Sequence, residues 1–287
     1  MPKARVNGVE THYTETGSGT PLLFIHGGFG GAQSTLVPQM RPVHQILSQD
    51  PVRTISYDRR CAGQSEYVLS EYTLPDLAAD ARALLGHLGV ERAIIVGDSM
   101  GGMVAQQYAL RYPETVIALC LVETGPALMA STSWGKEMRE QVEEARREGD
   151  RALFERRKAQ LRNPPEGGLV APRSPEMAER MRAMRQAYVE ALRQLSDEDL
   201  FRYSTGMIRN QGAFLGYDFT PRLGELRMPV GIIHGNADTT VPFENAELLH
   251  RAIPGSELHI VDGAAHGVLM WPSAAEALRT WVLQIVG

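Results

Sequence analysis

Residues 97–101 read Gly-Asp-Ser-Met-Gly, a G-x-S-x-G pattern between the β-branched run Ala93–Val96 and a helical stretch from Gly102 to Arg111. A strand, a sharp turn and a helix in that order push a serine hydroxyl out of the chain in a strained conformation. A side chain at Gly97 or Gly101 would crowd the turn, and the helix points its positive N-terminus at charge developing beside Ser99. A serine hydroxyl is a weak nucleophile alone and needs a base beside it. Imidazole takes up a proton near neutral pH. Of eight histidines the candidate is His266, on the small-residue loop Gly263-Ala264-Ala265-His266-Gly267 that follows the apolar run Leu258–Val261. A carboxylate must then fix the imidazole tautomer and stabilise its charged form. Asp238, in Gly235-Asn236-Ala237-Asp238 after the run Val230–His234, is the preferred acid, and Glu123, after the run Val116–Val122, is its rival. Asp262 is expected to brace the loop that carries His266.

Acyl transfer also needs two N–H donors aimed at the developing oxyanion. His26-Gly27-Gly28-Phe29-Gly30-Gly31 follows the run Leu22–Ile25, and glycines let a backbone come close to a ligand. Gly28 and Met100 are assigned as the oxyanion hole, with Phe29 as the alternative to Gly28. A phosphate-binding loop would need G-x-G-x-x-G or a G-K-[ST] ending, and the sequence has neither. Phe29, Val268 and Leu269, beside the catalytic positions in the chain, are assigned to substrate binding. With Trp271 they are apolar and offer no fixed charge. There is no H-E-x-x-H, and Cys61 and Cys120 have no ligand spacing, so neither a metal nor a cofactor is expected.

Each of these residues stands at the end of a short apolar run, and the runs are what must position them. Residues 4–17 read as a hairpin turning at Asn7-Gly8. Six further runs, at 22–26, 52–58, 93–97, 116–122, 230–234 and 258–261, are continuous rather than alternating, which suits strands buried on both faces of a parallel sheet. Helical patterns at 76–88, 100–112, 243–252 and 273–285 alternate with them, giving βαβ units. Residues 127–228 break the alternation. They are rich in Arg, Glu and Met and nearly neutral, which leaves the rest of the chain acidic. Trp134, Met138 and Val142 fall at helical spacing, as do Met177, Met181, Met184, Tyr188, Leu192 and Leu195; Pro164-Pro165 and Gly167-Gly168 mark a loop. Helices with one apolar stripe must cover something. The expectation is a helical cap over the carboxyl edge of the sheet, where open α/β sheets bind ligands.

With these pieces in view the chain resembles the capped, single-domain α/β hydrolases, a group that includes esterases, enol-lactonases, epoxide hydrolases and haloalkane dehalogenases. The resemblance covers nearly the whole chain. It rests on His26-Gly27-Gly28, on Asp58 with Gly63 and Ser65, on the elbow at 97–101, on Gly235 to Asp238 and on Gly263 to His266. It implies an α/β fold with a doubly wound, mostly parallel eight-stranded sheet, a core of residues 1–126 and 229–287, and an inserted helical cap at 127–228. It also implies the order serine, acid, histidine, which Ser99, Asp238 and His266 follow. His26, Asp58 and His234 would support the scaffold. Members that open epoxides or displace halide carry aspartate at the elbow, and Ser99 argues against both. Members that release N-terminal proline carry tryptophan after the serine, where this chain has Met100.

Composition narrows the rest. The 287 residues are 43% hydrophobic and 22% charged, as in soluble globular proteins. A net charge of −5 supplies no basic footprint for nucleic acid. No apolar run approaches the roughly 20 residues needed to cross a bilayer, the N-terminus shows no apolar signal segment, and two cysteines make no disulfide framework. A cytoplasmic protein with no membrane or nucleic-acid partner is expected, its oligomeric state left open. The expected activity is hydrolysis of small carboxylic esters of short to medium acyl chain through an acyl-enzyme. Lactone or amide hydrolysis by the same residues is the alternative, as is a ligand receptor on the same fold.

Overall fold

Every apolar run in the sequence forms a strand. A computed structural model describes residues 2–28, 42–127, 133–164 and 175–287. Strands β1 (Lys3–Val6), β2 (Val9–Thr16), β3 (Thr20–Ile25), β4 (Val52–Tyr57), β5 (Ala93–Asp98), β6 (Val116–Val122), β7 (Val230–Gly235) and β8 (Glu257–Val261) make one sheet in the order β1-β2-β4-β3-β5-β6-β7-β8. β1 and β2 are antiparallel, as are β2 and β4, and every other pair is parallel. The hairpin turns at Asn7 and Gly8, whose φ values of 50° and 81° are the two positive angles of a type I′ turn.

Alternate residues of one strand feed two cores, which is why the runs are apolar throughout. Leu23, Ile25, Ile95, Leu119, Leu121 and Ile232 face one core, with helices α2 (Leu74–His87), α3 (Met100–Arg111) and α8 (Glu244–Ala252). Leu22, Phe24, Ile94, Val96, Ala118, Cys120 and Ile233 face the other, with α1 (Pro42–Ile46) and α9 (Pro272–Val286). The family fold expected from the sequence is therefore the observed one: an open, mostly parallel sheet with helices on both faces. Cys61 and Cys120 are both free and buried. Among the described residues no helix is long and apolar enough to cross a membrane.

Between β6 and β7 the chain is helical, with α4 (Ser133–Glu148), α5 (Asp150–Arg162), α6 (Pro175–Gln194) and α7 (Asp197–Gly212). Its two ends are stitched together: Ala127 pairs with Asp218 across a β-bridge, and the Phe219 N–H donates to Pro126 O at 2.8 Å. Phe154, Leu192, Leu200, Phe201 and Tyr203 form a small core of their own, against which Tyr67 and Leu69 from the loop after β4 pack. Of the expected stripes, Met138, Val142 and Leu192 are buried. The side chains of Trp134, Met177, Met181 and Met184 lie outside the described residues, as does the loop from Pro165 to Gly168.

Candidate active site

The chain passes from β3 to β4 in one direction along the sheet and returns to β5 on the other side of β3. That reversal opens a crevice at the carboxyl ends of β3 and β5, the usual ligand position in open α/β sheets. His26 to Gly28 leave β3 on one side of it and Ser99 leaves β5 on the other. Ser99 has φ 50° and ψ −118°, a strained conformation for a residue with a side chain. Its N–H donates to Val122 O at 2.9 Å and its carbonyl accepts from the Gly102 N–H at 2.9 Å, so the turn is fixed from both sides. The elbow has no room for larger residues. A Cβ on Gly101 would lie 2.0 Å from Ile25 O, and one on Gly97 would lie 2.6 Å from the Ala105 Cβ.

The structure brings the three predicted residues into one chain of contacts. His266 Nε2 is 3.2 Å from Ser99 Oγ, and His266 Nδ1 is 2.7 Å from Asp238 Oδ2. Asp238 follows β7 and His266 follows β8, at the same edge of the sheet as Ser99. The other carboxylate oxygen of Asp238 accepts the N–H groups of Thr240 and Val241 at 2.8 and 2.9 Å. Burial opposes ionisation of Asp238, but the His234 and His266 imidazoles and the Val241 N–H outweigh it and hold its carboxyl well below the usual range. His266 shows the mirror effect. Burial would lower its pKa, yet the Asp238 hydrogen bond and the charges of Glu123, Asp238 and Asp98 raise it to about 9.

Glu123, the rival acid, serves the loop instead of the imidazole. Its Oε2 is 3.8 Å from His266 Nδ1 but accepts the backbone N–H groups of Gly267 and Val268 at 2.7 and 2.6 Å. Burial and the neighbouring Asp98 carboxyl push Glu123 well above the usual carboxylate range. Glu123, Asp238 and His266 present ligand atoms within 4.8 Å of one another, which a cation could in principle share. Those atoms already have occupants: Nδ1 faces Asp238, and Glu123 Oε2 holds two amides.

Supporting residues lie beneath. His234 contacts Val241 O through Nε2 at 2.8 Å. Asp58 takes the Gln64 N–H at 2.9 Å and lies 3.0 Å from His12 Nδ1. His26 Nε2 accepts the Arg59 N–H at 3.2 Å. Asp262 joins the base loop as expected, but through Asn236, which donates to Asp262 at 2.8 Å and accepts the Gly263 N–H at 2.7 Å. Nothing in the spacing of Asn236 announced that role.

Gly28 is exposed with φ 68°, and Met100 opens α3, where helical geometry leaves N–H groups without a partner inside the helix. Met100 directly follows Ser99 in the chain, and Gly28 lies on the loop that leaves β3. Phe29 lies outside the described residues. Val268, expected against the substrate, has 0% of its surface exposed, and Leu269 is also buried; both pack in the core with Ala274 and Leu278. Their side chains anchor the loop that carries His266. Such an arrangement can pass a proton from a serine hydroxyl to an imidazole whose charge a buried carboxylate stabilises.

A sequence profile of the alpha/beta hydrolase fold family matches residues 20–273. Among curated relatives, a putative carbamate hydrolase RutD from Cronobacter sakazakii is 29% identical over 255 residues, 86% of this chain and 84% of that protein. Among solved structures, a thermophilic esterase from Thermogutta terrifontis superposes with a TM-score of 0.72 at 24% identity, covering 100% of this chain and 99% of that one. A protein described as Est816, an N-acyl homoserine lactone degrading enzyme, superposes with a TM-score of 0.67 at 26% identity, covering 98% and 100%.

Proposed function

Because the chain belongs to the alpha/beta hydrolase fold family, we propose that it is a serine hydrolase that cleaves carboxylic esters of short to medium acyl chain. The observation that carries this reading is the unbroken line from Ser99 Oγ through both nitrogens of His266 to Asp238, at 3.2 and 2.7 Å. Ser99 Oγ attacks the ester carbonyl as His266 Nε2 takes its proton. The carbonyl oxygen gains the negative charge and is held by the N–H groups of Gly28 and Met100. The intermediate collapses, the ester C–O bond breaks, and His266 returns the proton to the departing alcohol. Water, deprotonated by His266, attacks the acyl-serine; the bond to Ser99 Oγ breaks, His266 returns the proton to that oxygen, and the acid leaves. Asp238 keeps the imidazole in the tautomer that accepts at Nε2 and stabilises it when charged. The helices between β6 and β7 act as a cap that closes the crevice.

Carbamates and lactones present the same acyl carbonyl. The relatives named for them favour a second reading in which either replaces the simple ester. The test common to all is the nucleophile. A serine-directed phosphonate should add once, at Ser99. Ser99→Ala should lower kcat by about 10³–10⁶-fold with folding intact, because such residues act as a unit. Labelling at another residue, or activity surviving the substitution, would remove Ser99 from the mechanism.

A further inference from the structure

We propose that Arg59 recognises an anion in this site, and that the preferred substrate carries a carboxylate two or three carbons from the scissile carbonyl. The proposal rests on the serine-hydrolase reading and deepens it. Arg59 follows β4 and is 1% exposed, among the most buried large side chains of the protein. Its guanidinium spans the site: Nη2 donates to Gly28 O in the glycine loop, and Nη1 donates to Asn210 Oδ1 on α7 at 3.2 Å. The ring of Phe214 lies 5.4 Å from its central carbon. Its Nε is buried with no hydrogen-bond partner among the described residues.

Among the described residues no carboxylate answers this charge. The next residue, Arg60, shows what an ordinary buried arginine does here, with both forks on Asp80 at 2.6 Å. Arg59 has no ion pair among the described residues, and the ionisable groups that favour its charged form are the hydroxyls of Tyr57 and Tyr72. The segment 29–41, which continues the glycine loop, contains no Asp or Glu at all. Leaving a charge buried without its opposite is costly, and burial accordingly lowers the pKa of Arg59. A guanidinium has five N–H donors in a planar fork that fits a carboxylate in two places at once. Gly28 and Asn210 leave Nε and the remaining hydrogens for such a partner.

Position gives the substrate class. The nitrogen and oxygen of one residue are roughly 3 Å apart, and a hydrogen bond adds about 3 Å. The guanidinium therefore sits within about 6 Å of the Gly28 N–H assigned to the oxyanion. A succinyl or glutaryl chain, with C–C bonds of about 1.5 Å, spans that range. The chemistry indicated is a monoester, or a lactone equivalent, of a short dicarboxylic acid. Such a site would add a fixed charge to the apolar lining expected from the sequence.

The deciding comparison is monoethyl succinate against its neutral isostere, ethyl succinamate, with kcat/KM read from ethanol release. Wild-type protein should prefer the anion at least tenfold. Arg59→Gln should bring the ratio to about one, and Arg59→Lys should keep a preference of a few fold. The ratio cancels any general damage from loss of the Gly28 contact, and if Arg59→Gln does not fold the wild-type ratio alone decides. A wild-type ratio near one, or an unchanged ratio in Arg59→Gln, overturns the proposal and leaves Arg59 a clamp between glycine loop and α7. Phosphonate labelling of Ser99 separates this from the parent reading. Labelling slowed by succinate and not by succinamide supports the anion site. Labelling that succinate leaves untouched overturns it while the hydrolase stands. No labelling at all takes down the serine-hydrolase reading, and the proposal with it.

Discussion

At the scale of single residues, the two acids beside His266 hold different duties. Asp238 meets Nδ1 directly at 2.7 Å, whereas Glu123 holds the backbone two residues further along. Asp238→Asn should therefore favour the wrong imidazole tautomer and lower kcat by about 10⁴-fold, while Glu123→Gln, which keeps a carbonyl oxygen for the Gly267 and Val268 amides, should lose less than about tenfold. Steady-state rates of the two variants, with thermal melts to show that both are folded, give the ranking; the opposite order would transfer the acid's role to Glu123. The raised pKa of His266 has two consequences of opposite sign. The proposed mechanism needs His266 neutral, so kcat/KM should climb with pH through a midpoint above the ordinary value of 6.5 and toward about 9. Stability runs the other way. A pKa raised by folding contributes below its unfolded value and that contribution is lost as pH rises through about 9. Asp238, whose pKa is lowered, contributes above its ordinary 3.8 and loses that contribution as pH falls below it. A profile already flat from pH 6 to 9 would show that the base is not raised. Ser99, His266 and Asp238 were legible because each follows an apolar run in a small-residue setting. Arg59, Asn236 and the amide-holding role of Glu123 were not, since their partners lie far away along the chain: Arg59 meets Asn210 across 151 positions and Glu123 meets Val268 across 145.

At the scale of elements, the strands were legible because burial on both faces leaves no polar positions, and the bounds differ from expectation by a residue or two. The helical insertion was legible only as helices. Their apolar stripes pack against one another, as Phe154 against Phe201 with ring centres 5.5 Å apart, as much as against the core, and amphipathic spacing cannot say which partner a stripe meets. The elbow is the element under most constraint. Its glycines are there for space: Gly101 has the carbonyl of Ile25 where a Cβ would go, 2.0 Å away, and backbone of a central strand cannot yield. Gly101→Ala should therefore destabilise the protein by about 3 kcal/mol or more, at or beyond the usual overpacking cost of roughly 1–3 kcal/mol. Gly224→Ala is the control, since the nearest atom a Cβ would meet is Ala252 O at 4.0 Å. Denaturant melts of the pair would expose the error if the two shifts were equal.

At the scale of the whole molecule, one topological fact organises the candidate site: the strand order reverses at β3, and the glycine loop, Ser99 and Arg59 all converge where it does. Asp238 and His266 arrive from β7 and β8 on the same edge, so five loops supply the site. In the proposed reading the insertion between β6 and β7 covers it. Its ends are tied by the Ala127–Asp218 bridge, and it is held down by Asn210 on Arg59 and by Arg209 Nε on Leu69 O at 2.7 Å. Those ties are buried or half-buried hydrogen bonds, and the insertion has its own packed core in Phe154, Leu192 and Leu200. On the proposed reading, a cover fastened in this way limits the length of acyl chain below it. Each CH₂ that enters gains about 0.8 kcal/mol until the space is full, after which further length must displace the cover. Among neutral p-nitrophenyl esters, kcat/KM should thus rise from acetyl to butyryl or hexanoyl and fall by dodecanoyl, with insoluble triglyceride a poor substrate. A steady climb to palmitoyl esters would mean that the α4–α7 insertion swings away as a unit, and that the ties to Arg59 and Leu69 break in each turnover.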